Sequence, residues 1–205
     1  ENSVTRSFDE NVSRETLDQF TLFASIVEKW TPKINLISKA SVPNIWQRHI
    51  EDSMQLYSLA PAVDSWVDLG SGGGFPAIVV ALLANQDGRS TKFTLVESDQ
   101  RKCAFLRTAI RELDLKADVL NDRIENITPL EADVVSARAL ADLSTLIGLA
   151  RRHLRSDGIA IFPKGRNWKA EDTKARLSWK YVNEAIPSRT DSSAAILKIK
   201  EIKHV

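Results

Sequence analysis

The hydrophobic pattern of the first sixty residues is helical. Apolar residues recur at spacings of three and four, which places them on one face of a helix. The residues of this face are Leu17, Phe20, Ala24, Val27 and Trp30. We expect Ser13 to cap this helix and Pro32 to stop it. A second helix is predicted from Pro43 to Leu59.

After Pro61 the pattern changes to short apolar runs that alternate with helical stretches. The predicted strands are residues 65–69, 92–97, 117–120, 133–136, 158–162, 180–186 and 194–202. The predicted helices are residues 75–84, 99–113 and 140–154. Strands that alternate with helices favour a parallel sheet with right-handed crossovers. No helical pattern separates the last two strands, so we expect that pair to be antiparallel.

These elements predict an α/β protein with a Rossmann-like domain over residues 63–205. We expect a mostly parallel seven-stranded sheet with an antiparallel last strand, and an N-terminal helical extension, residues 1–62, packed on that core. With 43% hydrophobic residues the chain can bury a core without disulfides or metal. Because the chain begins with Glu1 rather than Met, we expect that it has been truncated or trimmed at its N-terminus.

The single cysteine, Cys103, rules out an intramolecular disulfide, which fits a reducing cytoplasm. No apolar run reaches bilayer length, so we expect no membrane association. The net charge of +1 hides an asymmetry. Residues 1–150 carry 15 Lys and Arg against 21 Asp and Glu, whereas residues 151–205 carry 13 against 6. This basic end is either a solvated surface or a face for a polyanion such as RNA.

The strongest local signal is the segment Asp-Leu-Gly-Ser-Gly-Gly-Gly-Phe-Pro at 68–76, between a predicted strand and a predicted helix. Glycines allow positive φ and close approach of a ligand to the backbone. A dinucleotide G-x-G-x-x-G motif that starts at Gly70 would need glycine where Phe75 stands, and one that starts at Gly72 would need it where Ala77 stands. Because alanine is tolerated at the last position, the second register is weakened but not excluded. A phosphate loop would need a lysine after the glycines.

The pattern G-x-G-x-G, with Asp68 two positions before Gly70, resembles motif I of S-adenosylmethionine-dependent methyltransferases. Glu97 ends the second predicted strand, 27 positions after Gly70. Its carboxylate could accept hydrogen bonds from ribose hydroxyls, or it could be a surface acid before a helix. With the glycine loop in place we expect the ribose role.

Several segments together resemble one family, the bacterial 16S rRNA guanine-N7 methyltransferases, also called glucose-inhibited division protein B. The most specific are Arg-His-Ile-Glu-Asp-Ser at 48–53 and Ser-Ala-Arg-Ala at 136–139, and the resemblance runs from about residue 17 to 165. It implies cofactor contacts at Gly70, Phe75, Ile124, Glu125 and Arg138. The full predicted cofactor-binding set is Asp68, Gly70, Gly72, Gly74, Phe75, Glu97, Ile124, Glu125 and Arg138.

The residues also restrict the chemistry. Pyrimidine C5 methylation usually needs a catalytic cysteine, but Cys103 lies on the apolar face of a predicted helix, where a buried, unreactive side chain is expected. Guanine N7 carries a free lone pair and needs no general base. We therefore name no catalytic residue. The three histidines form no metal-ligand spacing with the single cysteine, so no metal is expected.

On the substrate side the candidates are His49 and Lys164. His49 could contact substrate or be a packing histidine, and Lys164 could contact RNA or be solvated. Further basic residues that could extend an RNA footprint are Arg151, Arg152, Arg155, Arg166 and Lys169. The expected partner is small-subunit ribosomal RNA, free or within a ribonucleoprotein, and we expect a cytoplasmic monomer.

Three functions are compatible with the sequence. The first is methyl transfer from S-adenosylmethionine to N7 of a specific guanine in 16S rRNA. The second is a non-catalytic cofactor-binding regulatory protein of methyltransferase fold. The absence of a catalytic dyad fits this protein as well as it fits an N7 methyltransferase. The third is a nicotinamide-dependent oxidoreductase, which the glycine register disfavours.

Overall fold

The computed structural model of the chain describes residues 11–205, so the first ten residues of the predicted extension lie outside the described residues. The α-helices are α1 (Arg14–Ile34), α2 (Asp52–Tyr57), α3 (Ala77–Gln86), α4 (Gln100–Glu112), α5 (Leu143–His153) and α6 (Trp168–Ala175). Short 3₁₀ helices span Lys39–Asn44 and Ile124–Asn126, and a π-helical turn spans Trp46–Glu51. The strands are β1 (Ser65–Leu69), β2 (Lys92–Glu97), β3 (Ala117–Asn121), β4 (Ala132–Ala137), β5 (Leu154–Lys164), β6 (Trp179–Pro187) and β7 (Ala195–His204).

The seven strands form one sheet in the order β3-β2-β1-β4-β5-β7-β6. Strands β1 to β5 run parallel, and β7 is antiparallel to both of its neighbours. The predicted mixed seven-stranded sheet is therefore confirmed. The strand order reverses between β1 and β4, and ligands bind in α/β folds at the carboxyl edge of such a switch point.

The central strands are apolar runs because helices cover both faces of the sheet. All six residues of β4 are buried. One face packs against α1, α3 and α4 in a core that includes Phe20, Phe23 and Leu106. The other face packs against α5 and α6 in a core that includes Leu146 and Phe162. Since α1 shares the first core, the described part of the N-terminal extension is packed on the sheet domain; the boundary at residue 62 stays a prediction.

Two helix predictions in the extension are wrong. Helix α1 continues through Pro32 to Ile34, and it ends where Asn35 adopts a left-handed φ of 53° and donates its N–H to the Thr31 carbonyl. A proline in the last turn removes only one helical hydrogen bond, so the αL cap decides the end. The predicted helix over 43–59 is instead a 3₁₀ helix, a π-helical turn and α2 in succession.

The carboxyl-terminal third contains one helix that the hydrophobic pattern does not predict. Helix α6 follows β5, and only Ala175 of its eight residues is buried, so it carries no apolar stripe. The antiparallel pairing of β6 with β7 is as predicted. The N-terminus of α5 lies at Leu143 rather than 140, because Asp142 accepts hydrogen bonds from the Ser144 and Thr145 amides.

Candidate active site

The glycine loop between β1 and α3 forms the floor of a cavity at the carboxyl edge of the sheet. Gly70, Gly72 and Gly74 all have positive φ, at 66°, 50° and 81°. A Cβ on Gly70 would lie 2.7 Å from Leu140 Cδ1, and one on Gly74 would lie 2.6 Å from Ile78 Cδ1. Those side chains could shift aside, so the requirement for glycine comes from the positive φ of the backbone.

The cavity above this loop has a volume of about 750 Å³. Segments that follow β1, β2, β3 and β4 line it, together with part of the N-terminal extension. Most of the residues predicted from sequence meet here. Those that line the cavity are His49, Gly70, Gly72, Phe75, Glu97, Ile124, Glu125 and Arg138. A volume of this size is in the range of cofactor sites.

Glu97 is held at the floor of the cavity by the backbone. One oxygen, Oε2, accepts the Gly72 N–H at 3.0 Å, and the other, Oε1, accepts the Asp99 N–H at 2.8 Å. The side chain is 8% exposed. Each carboxylate oxygen can accept a second hydrogen bond, so the group is fixed in place and still offers acceptors to a ligand.

Asp68 and Gly74 do not line the cavity, although the sequence pattern groups them with the residues that do. Asp68 is buried beneath the loop, where Oδ1 accepts the Ser136 hydroxyl at 2.6 Å and Oδ2 has no hydrogen-bond partner within residues 11–205. Burial raises the pKa of Asp68 to about 7, in opposition to the hydrogen bond from Ser136. The structure thus places Asp68 as support for the loop.

His49 lies on the π-helical turn of the extension, with its ring centroid 5.0 Å from that of Phe75. Its Nε2 is buried and has no hydrogen-bond partner in the described part of the chain. Burial, followed by the charges of Arg138 and Arg48, lowers the pKa of His49 to about 4. The imidazole is therefore neutral at physiological pH.

Arg138 stands between this cavity and a second one. Its Nη2 donates to the Arg48 carbonyl at 2.8 Å and lies 3.8 Å from Asp52 Oδ2, while Nη1 is buried and has no partner among the described residues. Burial lowers the pKa of Arg138, but a guanidinium remains charged. The unpartnered Nη1 is a donor available to an anionic ligand group.

The second cavity, of about 770 Å³, adjoins the first and shares Arg48, Arg138 and Ala139 with it. Lys164 lines the second cavity at the end of β5. Its Nζ lies 2.7 Å from Glu171 Oε2 and 3.1 Å from the Ala141 carbonyl oxygen, and its side chain is only 11% exposed. Lys164 is thus a half-buried, paired cation rather than a solvated one.

The other predicted basic residues divide into two groups. Arg166 and Lys169 are exposed close to Lys164 in sequence, between β5 and the middle of α6. Arg151, Arg152 and Arg155 lie instead at the amino-terminal end of β5, the opposite edge of the sheet. Arg155 is paired with Asp133 and Asp157, and Arg152 donates to the Ile127 carbonyl. The structure does not bring this second group to the cavities.

Comparisons with known proteins identify the family. The sequence profile of the family described as rRNA small subunit methyltransferase G matches residues 16–195. The chain belongs to this family. It is 50% identical to the ribosomal RNA small subunit methyltransferase G of Ruegeria pomeroyi over 195 residues, covering 95% of this chain and 96% of the relative. It is 52% identical to that of Cereibacter sphaeroides over 196 residues, with 95% of each covered.

Solved structures agree on the fold. A methyltransferase from Geobacter sulfurreducens superposes with a TM-score of 0.60 at 10% identity, covering 89% of this chain and 90% of that one. A SAM-dependent methyltransferase from Aquifex aeolicus gives a TM-score of 0.59 at 10% identity, covering 86% and 96%. The predicted methyltransferase fold is therefore confirmed, and family membership favours an rRNA methyltransferase over the oxidoreductase and the non-catalytic protein.

The lone cysteine of this family member lies outside both cavities. Cys103 is fully buried in α4, and its thiol lies 3.2 Å from the Glu97 carbonyl oxygen. Burial raises the pKa of the Cys103 thiol, which disfavours the thiolate that a nucleophile requires. The interpretation of Cys103 as a buried packing residue agrees with its position.

Two absences hold for residues 11–205. No group of three or more His, Cys, Asp or Glu side chains in this range is placed to hold a metal ion. None of its helices is both long and apolar enough to cross a bilayer.

Some residues at the second cavity were not predicted from the sequence. Asp52 and Glu171 line it, and so do Thr190 and Asp191 from the connection between β6 and β7. Asp52 lies in the 48–53 segment that carries the family resemblance, and this resemblance could have marked it as a site residue. Glu171 lies in α6, a helix that the hydrophobic pattern does not reveal, so no local signal marked it.

Proposed function

We propose that this protein transfers a methyl group from S-adenosylmethionine to N7 of a specific guanine in 16S ribosomal RNA. The observation that carries the proposal is the pair of adjoining cavities. The glycine loop and Glu97 line one, Lys164 and Glu171 line the other, and Arg138 stands between them. One cavity suits the cofactor and the other an unstacked base.

The first cavity fits S-adenosylmethionine in its donor and acceptor groups. Glu97 is fixed with acceptors to spare, which suits ribose hydroxyls. Ile124 offers a mostly buried apolar side chain and Glu125 an exposed carboxylate at the same rim, suited to an adenine ring and its amino group. The unpartnered Nη1 of Arg138 suits the carboxylate of the methionyl part.

Asp68 and Gly74 have a different role in this proposal. Neither residue lines the cavity, and both hold Gly70 and Gly72 in position from below. The carboxyl of Asp68 does this through the Ser136 hydroxyl, which also accepts the indole N–H of Trp66 at 2.9 Å. Their replacement would act on the cofactor through the loop.

Methyl transfer to N7 requires little of the protein beyond alignment of the methyl donor with the base. S-adenosylmethionine supplies an electrophilic methyl group on a positively charged sulfur. N7 of guanine would form the new bond to the methyl carbon with its own lone pair while the carbon–sulfur bond breaks and S-adenosylhomocysteine leaves, so no side chain has to remove a proton. The enzyme positions the two groups and excludes water. His49 and Phe75 form an aromatic wall of this cavity, and a neutral His49 would add no positive charge to a cavity that receives a cationic cofactor.

The substrate then is small-subunit rRNA, bound as free RNA or within a ribonucleoprotein, and the protein acts as a cytoplasmic monomer. The buried free thiol of Cys103 is compatible with that reducing compartment. Exposed Arg166 and Lys169 beside the second cavity supply phosphate contacts for the RNA.

The test is methyl transfer from labelled S-adenosylmethionine to rRNA that lacks its natural modification, followed by mapping of the modified atom. We expect label at N7 of one guanine of 16S rRNA and none in 23S rRNA. Label on another atom or another RNA would refute the proposal. Tight cofactor binding without transfer to free RNA or to small subunits would favour the non-catalytic alternative.

A further inference from the structure

The second cavity contains a lysine and a carboxylate that leave one donor and one acceptor side by side. Glu171 Oε2 already interacts with Lys164 Nζ at 2.7 Å and accepts the Leu143 N–H at 2.8 Å. Oε1 of Glu171 accepts no hydrogen bond from the described residues. Lys164 directs two of its three ammonium protons to Glu171 and to the Ala141 carbonyl, so one proton remains.

This free pair complements guanine and opposes adenine. Guanine carries the acceptor O6 next to the donor N1–H, whereas adenine carries an amino donor next to the acceptor N1. A free ammonium proton beside a free carboxylate oxygen therefore satisfies both guanine groups. With adenine the same pair would set donor against donor and acceptor against acceptor. Unstacked bases are commonly read on this edge.

The order of the two residues also matches the order of atoms around the base. N7, O6 and N1 follow one another along the edge of guanine. Ala141, the carbonyl partner of Lys164, lines the cofactor cavity, whereas Glu171 lines only the second cavity. With N7 at the junction of the cavities, O6 falls beside Lys164 and N1–H beside Glu171.

We propose that Glu171 is the residue that selects guanine: its free Oε1 accepts the N1–H of the target base while Lys164 donates to O6. This inference rests on the proposed function, because it takes N7 of guanine as the methylated atom. It goes beyond that function by naming the group that distinguishes guanine from adenine. Asp191 lines the same cavity and its Oδ1 accepts hydrogen bonds from Ser193, but among the described residues Lys164 pairs with Glu171 and not with Asp191, so Asp191 lacks the neighbouring donor that guanine O6 needs.

The test compares two 16S rRNA transcripts that differ only in guanosine or adenosine at the mapped position. Their dissociation constants are measured with S-adenosylhomocysteine present, for the wild type, Glu171→Gln and Asp191→Asn. In Glu171→Gln the amide oxygen stays toward Lys164 and Leu143, so the amide nitrogen replaces Oε1. Because a hydrogen bond to a charged group is lost, the preference for guanosine should fall about tenfold or more.

We expect the wild type and Asp191→Asn to share one preference for guanosine and Glu171→Gln to lose it. Any general effect of removing a negative charge near RNA acts on both transcripts and cancels in the ratio. A Glu171→Gln variant that keeps the wild-type ratio, whether its RNA affinity changes or not, would overturn the proposal and leave Glu171 as a structural partner of Lys164. The mapping experiment on the wild type separates this result from failure of the proposed function, since that mapping does not depend on Glu171.

Discussion

Replacing Glu97 by alanine tests the cofactor cavity most directly. The carboxylate accepts backbone N–H groups from Gly72 and Asp99, so its removal takes away the proposed ribose acceptor and the anchor of the glycine loop. A hydrogen bond to a charged group contributes about 1.5–3 kcal/mol, which corresponds to a factor of roughly 10 to 150 in the dissociation constant. Because the loop is also released, we expect the effect of Glu97→Ala to lie near the upper end of this range.

A second variant separates the two contributions. In Glu97→Gln one oxygen can still accept from a backbone N–H, but the amide nitrogen meets the other N–H as a second donor. We expect a loss of affinity for S-adenosylmethionine of about tenfold, smaller than for alanine. Isothermal titration calorimetry of the cofactor measures both variants, and circular dichroism verifies that each is folded.

Asp99 provides the matched control for Glu97. It is an acid two positions away that caps α4 by accepting the amides of Arg101 and Lys102, and it does not line the cavity. Asp99→Ala should lower the melting temperature and leave cofactor affinity unchanged. Equal affinity of Glu97→Ala and the wild type would refute the assigned role of Glu97. Equal losses in Glu97→Ala and Asp99→Ala would show that the effect is general destabilisation.

Three further predictions follow from the geometry. Cys103→Ala should keep methyl transfer within about twofold in a tritium-transfer assay, since N7 attack needs no covalent adduct; loss of transfer in a folded variant would contradict this. Asp68 has a pKa of about 7 in the folded protein against ~3.9 unfolded, so the stability it contributes is complete below about pH 4 and is lost as pH rises to 7. The melting temperature of Asp68→Asn minus that of the wild type should therefore increase between about pH 4 and pH 7. A difference that stays constant over this range would contradict the raised pKa of Asp68. Arg166→Ala combined with Lys169→Ala should weaken RNA binding and flatten its salt dependence, with cofactor affinity intact; an unchanged salt slope would place the phosphate contacts elsewhere.

The sheet and the cofactor cavity were predictable because their signals are local. Buried parallel strands are continuous apolar runs, and a loop that needs positive φ at three positions must show glycines there. Glu97 was identifiable since the end of the strand after such a loop is a fixed place in the fold. In each case the sequence of a few neighbouring residues is sufficient to predict the local structure.

The second cavity was less predictable because its residues come together through tertiary structure. Lys164 was identified by its place at the end of β5, but its partner Glu171 lies on a helix without an apolar stripe. The π-helical turn that presents His49 was predicted as ordinary helix, since a 3.6-residue period cannot reveal one widened turn. The buried position of Asp68 beneath the loop, rather than at the cavity, required side-chain packing that a motif does not encode.

Arg138 shows why the N-terminal extension belongs to the proposed active site. Its position after β4 is set by the sheet, but its guanidinium is oriented by the Arg48 carbonyl and by Asp52, which both lie in the extension. Those contacts engage Nη2 and leave Nη1 unpartnered between the cavities. Without the extension the same arginine would be solvated and free to adopt other rotamers, at an entropic cost when it bound a ligand. The extension therefore preorganises a cation that both cavities share, so the proposed site depends on residues on both sides of the predicted boundary at residue 62.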